Sequence, residues 1–147
     1  MSDLRDLYQE VILDHSRSPR NFKELCGSNR KADGYNPLCG DKVTVFLKVE
    51  DGAIADVAFV GSGCAISTAS ASLMTESVKG KSLDEVALLF QGFRNLVTGK
   101  PVESTDLGKL TVFQGVSEFP VRVKCATLVW HTLQAALANS REAAMTE

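Results

Sequence analysis

The chain has 147 residues, 44% apolar and 23% charged, enough for one domain with a real core and too few for two comfortable ones. Its 16 basic and 18 acidic residues leave a net charge of −2 with no long basic block, which argues against nucleic-acid binding. No apolar run approaches the length of a membrane span, and the four cysteines read as metal ligands or working thiols rather than a disulfide framework.

The opening Met1-Ser2-Asp3-Leu4-Arg5-Asp6 carries acids and no apolar stretch of a secretory signal, so the expected compartment is the cytoplasm. Residues 3–17 are predicted to be a helix, with Leu4, Leu7, Tyr8, Val11 and Ile12 at the spacing of one apolar face. Ser2 or Asp3 can cap it, and Ser18-Pro19 ends it, because the residue before proline avoids the helical region. His15, near the helix end, is expected on the surface, favoured by the C-terminal dipole rather than serving a ligand. Arg20 to Pro37 is a polar connection with room for one short edge strand. Cys26, beside Gly27, has no ligand spacing around it and is expected to be an unremarkable thiol.

Two strands come next. Val43, Val45, Leu47 and Val49 alternate with Lys42, Thr44, Phe46 and Lys48, the period of a half-buried strand. Glu50-Asp51-Gly52 is a turn, and Ala53 to Val60 is the return strand of an antiparallel hairpin. The start of its first strand and the end of its second lie at one end, so Cys39-Gly40-Asp41 and Gly61-Ser62-Gly63-Cys64 are brought together.

A helix is predicted from about Cys64 to Val78, rich in small residues (Ala65, Ser67, Ala69, Ser70, Ala71, Ser72). Ile66, Ala69, Leu73 and Met74 are expected to face the sheet at close range. Lys79-Gly80-Lys81 closes that helix, and Ser82 with Glu85 three residues on forms a capping box for the next. The second helix turns Leu83, Val86, Leu89, Phe90 and Phe93 inward and ends near Gly99-Lys100-Pro101. Residues 101–119 are punctuated at Asp106-Leu107-Gly108 and Gln114-Gly115-Val116, which suggests one helical turn each. Phe119-Pro120 opens the last helix, strong from about Arg122 to Asn139, with Cys125, Leu128, Val129, Thr132 and Ala136 on one stripe widened by Trp130, Leu133 and Leu137. Residues 1–147 thus form one domain, with a flexible tail from about 140 to 147.

Cys39, Asp41, Cys64 and Cys125 are the candidate metal ligands. Zinc takes thiolate and carboxylate donors and prefers four in a tetrahedron. The spacing is not a paired C-x-x-C pattern, and buried packing is the competing role for Cys64 and Cys125. Three thiolates and a carboxylate around a divalent ion leave a formal −2. Arg122, Lys124 and the helix N-terminal amides at Cys64 are the groups at hand to offset it.

Three blocks carry a resemblance: Cys39-Gly40-Asp41; Gly61-Ser62-Gly63-Cys64-Ala65-Ile66-Ser67 with Ala69-Ser70-Ala71-Ser72; and Gly115-Val116-Ser117-Glu118-Phe119-Pro120-Val121-Arg122-Val123-Lys124-Cys125-Ala126-Thr127-Leu128. With Leu7-Tyr8, Ile12, Asp14-His15 and Pro19-Arg20-Asn21, they resemble the SufU branch of the U-type (NifU N-terminal/IscU-like) iron–sulfur cluster assembly family over nearly the whole chain. Two departures set the chain apart from IscU-type scaffolds. Lys124 stands where those carry a histidine before the third cysteine, and Phe119-Pro120-Val121-Arg122-Val123 replaces their chaperone-recognition stretch. The interval from Cys64 to Cys125 is also longer, as in the SufU branch.

The resemblance implies an α+β fold, a small antiparallel sheet packed by several helices, and a zinc site of Cys39, Asp41, Cys64 and Cys125. It also implies that Cys39 accepts persulfide sulfur from a SUF-type cysteine desulfurase, for delivery to a SUF scaffold complex or apo iron–sulfur proteins. Docking is expected to let a desulfurase side chain take one zinc position and release Cys39, with Arg122 assisting. The alternative is a scaffold on which the same ligands hold a [2Fe–2S] cluster. A zinc hydrolase or deaminase is disfavoured because no H-x-E or H-E-x-x-H motif is present, and a dithiol oxidoreductase for want of C-x-x-C. His131, six residues after Cys125, points away from that thiol on a helix and is expected to be structural or on the surface.

Overall fold

In a computed structural model, which describes residues 3–37, 40–102, 107–138 and 144–145, the spine of the fold is the predicted hairpin. β2 (Asp41–Glu50) and β3 (Ala53–Ser62) pair antiparallel from Lys42–Ser62 to Glu50–Ala53. Asp51 and Gly52 between them both have positive φ, +53° and +74°, the handedness that suits a two-residue hairpin turn. β1 (Arg30–Asn36), the expected short strand in the polar connection, lies antiparallel on the other side of β2, from Arg30–Leu47 to Asn36–Asp41. The tail departs from expectation: β4 (Ala144–Met145) pairs in parallel with Gly34 and Tyr35, giving the order β3-β2-β1-β4.

Helices pack against this sheet. α4 (Pro120–Leu137) runs across β1 and β2, and its predicted stripe is buried: Cys125, Leu128, Val129, Trp130, Thr132, Leu133 and Ala136. Proline in its first turn suits a helix start, since that N–H has no partner to lose. Its approach to β1 requires a glycine, because a Cβ at Gly34 would collide with the Thr132 hydroxyl and stand 3.2 Å from Leu128. α3 (Leu83–Val97) starts with the expected capping box, Ser82 N–H to Glu85 Oε1 at 3.1 Å and Glu85 N–H to Ser82 Oγ at 3.2 Å. On the far side of α4 an aromatic cluster closes the core: Phe93 stacks on Trp130 at 4.9 Å and meets Phe113 edge-on at 5.6 Å. Each such fully buried side chain stabilises the fold by roughly 1.5–3 kcal/mol.

Residues 108–118 differ from the two single turns expected. Gly108–Glu118 is one continuous 3-10 helix. Leu110, Phe113 and Val116, all buried, recur every three residues, which is the period of that helix, and Leu107 extends the row by one step.

α2 (Ala65–Val78) also differs from expectation in what its small residues do. It touches β3, but it lies between α1 (Asp3–Arg17) and α4, and Ala69, Ser70, Ala71 and Ser72 are all buried. Small side chains let both helices approach, and their hydroxyls bond across: Ser70 Oγ donates to the Ala126 carbonyl at 2.6 Å, and Ser72 Oγ accepts the Arg20 N–H at 2.9 Å.

His15 is the clearest correction. It is not on the surface but 2% exposed, with Nδ1 2.7 Å from Ser72 Oγ and Nε2 3.8 Å from Glu76 Oε1. Its place on the apolar side of α1 outweighs any preference for solvent at the helix end. Burial, with the Arg20 cation adding to it, pushes the imidazole below its ordinary value.

Candidate metal centre

The hairpin brings Asp41 and Cys64 together, the part of the sequence expectation that lies within the described residues. Asp41 is the first residue of β2 and Cys64 is the residue just before α2, two positions beyond the end of β3. Cys125 lies in the second turn of α4. One oxygen of Asp41 and the sulfurs of Cys64 and Cys125 all lie within 4.8 Å of one another. Asp41 and Cys125 are each 2% exposed, and Cys64 is half-buried. The fourth expected ligand, Cys39, lies outside the described residues.

Local structure explains how two of these side chains are held. Cys64 is the N-cap of α2, with extended φ/ψ of −74° and 173°, and its Sγ accepts the Ser67 N–H at 3.4 Å. A helix N-terminus leaves amides unpaired, so a sulfur in this position faces N–H groups that complement negative charge. Asp41 Oδ1 accepts the backbone N–H of Cys64 at 3.1 Å, while Oδ2 stands 3.9 Å from Cys64 Sγ. Gly40, preceding Asp41, has φ of +74° and donates its N–H to the Asn36 carbonyl at 2.8 Å. That left-handed turn is what glycine supplies between the first two predicted ligands.

Two thiolates and a carboxylate suit zinc better than a hard cation such as magnesium. Thiolates about 2.3 Å from a shared zinc ion in a tetrahedron stand about 3.8 Å apart. The observed spread of up to 4.8 Å is about one ångström wider than that, and the donor types are those that zinc accepts.

The other sequence candidates are sorted by the same geometry. Arg122 is exposed one turn before Cys125, and Lys124 is half-buried; neither forms an ion pair among the described residues. His131 is half-buried and packs edge-on against Phe90 at 5.4 Å, in a structural role. Burial and the nearby Arg94 push it below the ordinary histidine value. Cys26 is exposed. Sequence reasoning missed Ser67, whose N–H and hydroxyl both bond to Cys64. Its signal was a serine three residues after Cys64, the spacing of a helix cap.

No helix among the described residues is long and apolar enough to cross a membrane. The family described as the NifU-like N-terminal domain matches residues 7–126. A protein of Bacillus subtilis named zinc-dependent sulfurtransferase SufU is 41% identical over 139 residues, covering 94% of both chains. A Streptococcus pyogenes protein named iron–sulfur cluster assembly scaffold protein IscU is 40% identical, covering 97% of this chain and 90% of that one. Among solved structures, a putative iron–sulfur cluster assembly scaffold protein for the SUF system from Fervidobacterium islandicum AW-1 superposes with a TM-score of 0.84 at 35% identity. That match covers 90% of this chain and 98% of the other. The family model covers most of the chain and the relatives match over nearly their whole length, so the chain belongs to the NifU-like N-terminal domain family.

Proposed function

We propose that this protein is a zinc-dependent sulfur acceptor in iron–sulfur cluster assembly, taking persulfide sulfur from a SUF-type cysteine desulfurase. The observation that carries the reading is the convergence of Asp41, Cys64 and Cys125 within 4.8 Å at one end of the sheet. Cys39, two residues before Asp41, completes the ligand set. The named activity of the Bacillus relative supports the same reading. When bound, zinc keeps its cysteine ligands as thiolates at neutral pH.

Cys39 is the acceptor. Its thiolate attacks the terminal sulfur of the desulfurase persulfide, a new S–S bond forms on Cys39, the donor S–S bond breaks, and the donor cysteine leaves as thiolate. One persulfide is exchanged for another, so no oxidant or reductant is needed. Asp41, Cys64 and Cys125 remain as ligands while Cys39 reacts. Arg122 is exposed beside the centre and assists with its positive charge. Phe119 and Val121, 58% and 57% exposed in the same stretch, offer the apolar surface that a docked desulfurase would cover.

The deciding experiment combines a SUF-type desulfurase with Cys39→Ala protein. Wild type stimulates turnover and gains one sulfur at Cys39, and the variant does neither. Undiminished stimulation by the variant would remove Cys39 from this role. The similarity to a scaffold relative supports a second reading, a [2Fe–2S] cluster built on the same ligands. Colourless protein with one zinc favours sulfur transfer, whereas a reconstituted cluster passed to an apo-acceptor favours the scaffold.

A further inference from the structure

Two glycines flank the Asp41–Cys64 contact for opposite reasons. Gly40 has φ of +74°, and a Cβ there would meet nothing within 4 Å. Backbone conformation is what demands glycine at that point. Gly63 is not among the glycines of positive φ. A Cβ at Gly63, however, would stand 2.8 Å from Oδ1 and 3.0 Å from Cγ of Asp41, and would collide with the Ser67 hydroxyl. What the missing side chain supplies here is space.

That space is filled by the Asp41 carboxylate. The group is 2% exposed, and its Oδ1 takes the N–H of Cys64, the residue next to Gly63. Ser67 fixes the same residue from the helix side, with its N–H on Cys64 Sγ at 3.4 Å and its hydroxyl on the Cys64 carbonyl at 3.2 Å. One carboxylate oxygen is thus turned to the backbone and the other, Oδ2, to the sulfur of Cys64.

We propose that Gly63 is a positioning residue for the metal centre. By leaving room for the Asp41 carboxylate against the 63–64 backbone, it commits Oδ1 to the Cys64 amide and offers Oδ2 alone to the ion. Asp41 is then a one-oxygen ligand, which with three cysteines keeps the donor number at four. The inference rests on the zinc reading of this site and specifies how one of its ligands is aimed.

The test is Gly63→Ala, which asks nothing unusual of the backbone and should leave the thermal unfolding transition cooperative. Zinc affinity, measured by chelator competition, should weaken by about tenfold or more, as for other groups that orient a metal ligand. In the zinc-free protein the Cys64 amide resonance should move and its hydrogen exchange quicken, because the bond to Asp41 is lost. Asp41→Ala with Gly63→Ala should bind zinc no worse than Asp41→Ala alone, since Gly63 acts through Asp41. Placing Gly63→Ala in a Ser67→Ala background removes the serine clash, and the loss should persist there because Asp41 is the partner that matters.

An unchanged Cys64 amide in Gly63→Ala, or losses that add to those of Asp41→Ala, would overturn the proposal. Wild type that binds no zinc would overturn the zinc reading instead. The amide measurement, made without metal, would still decide whether Gly63 aims Asp41.

Discussion

Ser70 donates its hydroxyl to the carbonyl of Ala126 at 2.6 Å, with both residues fully buried. The bond joins the helix that begins beside Cys64 to the residue that follows Cys125, so it holds two elements that carry candidate ligands at a set distance. Ser70→Ala should cost about 1 kcal/mol, the net worth of one such bond. For a chain of this size that is a fall of about 2–4 °C in Tm. Zinc affinity should drop severalfold in the same variant, because α4 gains freedom relative to α2. Thermal melts with and without metal separate the two effects.

His15 gives the stability a pH dependence of definite sign. Ser72 Oγ already accepts the Arg20 N–H, so the arrangement that also satisfies Nδ1 has the hydroxyl donating to it, leaving the ring hydrogen on Nε2 towards Glu76. A second ring proton would face a hydroxyl hydrogen. Asp14, Arg20, Glu76 and Lys109 are the charged groups that act on the ring, and burial with Arg20 outweighs the acids. The folded value lies below the ordinary 6.5, so the unfolded chain binds the proton more readily. Stability is therefore fully present above about pH 6.5 and declines as pH falls below it. Melts of zinc-free protein between pH 7.5 and 5.5 should show this decline, and His15→Asn should lessen it. His131, which is shifted in the same direction, contributes to the part that remains.

Gly34→Ala should drive α4 off the sheet. The added methyl meets Thr132 and Leu128, an overpacking that costs about 1–3 kcal/mol. Combining it with Thr132→Ala removes the nearest obstacle and should restore most of the loss. Denaturant unfolding of the two variants checks the pair.

Phe119→Ser with Val121→Ser should leave folding and zinc content unchanged, since both side chains face solvent. The concentration of this protein that half-saturates stimulation of the desulfurase should rise by about tenfold, equivalent to about 1.4 kcal/mol of docking energy. Maximal stimulation should stay near that of wild type. A change confined to the maximum would instead place these residues in the transfer step.

Where local pattern and fold agree, the sequence was sufficient. Alternation in Val43–Val49, the Asp51-Gly52 turn and the Ser82–Glu85 box each dictate a local geometry that packing then keeps. The juxtaposition of Asp41 and Cys64 followed from that hairpin alone. The arrival of Cys125 did not, because it depends on α4 crossing the sheet at Gly34, a contact between residues distant in sequence. His15 was misjudged since a helix end says nothing about which neighbour covers it. The 3-10 run was missed although Leu110, Phe113 and Val116 announce its period, because glycines at 108 and 115 read as breaks.

The three described cysteines form a gradient of accessibility, with Cys26 exposed, Cys64 half-buried and Cys125 buried. Among these three, an alkylating reagent should therefore consume Cys26 first. Thiol counts on the whole protein will carry that constant background, and a Cys26→Ser chain makes labelling a direct gauge of how open the centre is. Oxidation in storage should follow the same order, joining two molecules through Cys26 before it reaches the buried thiol.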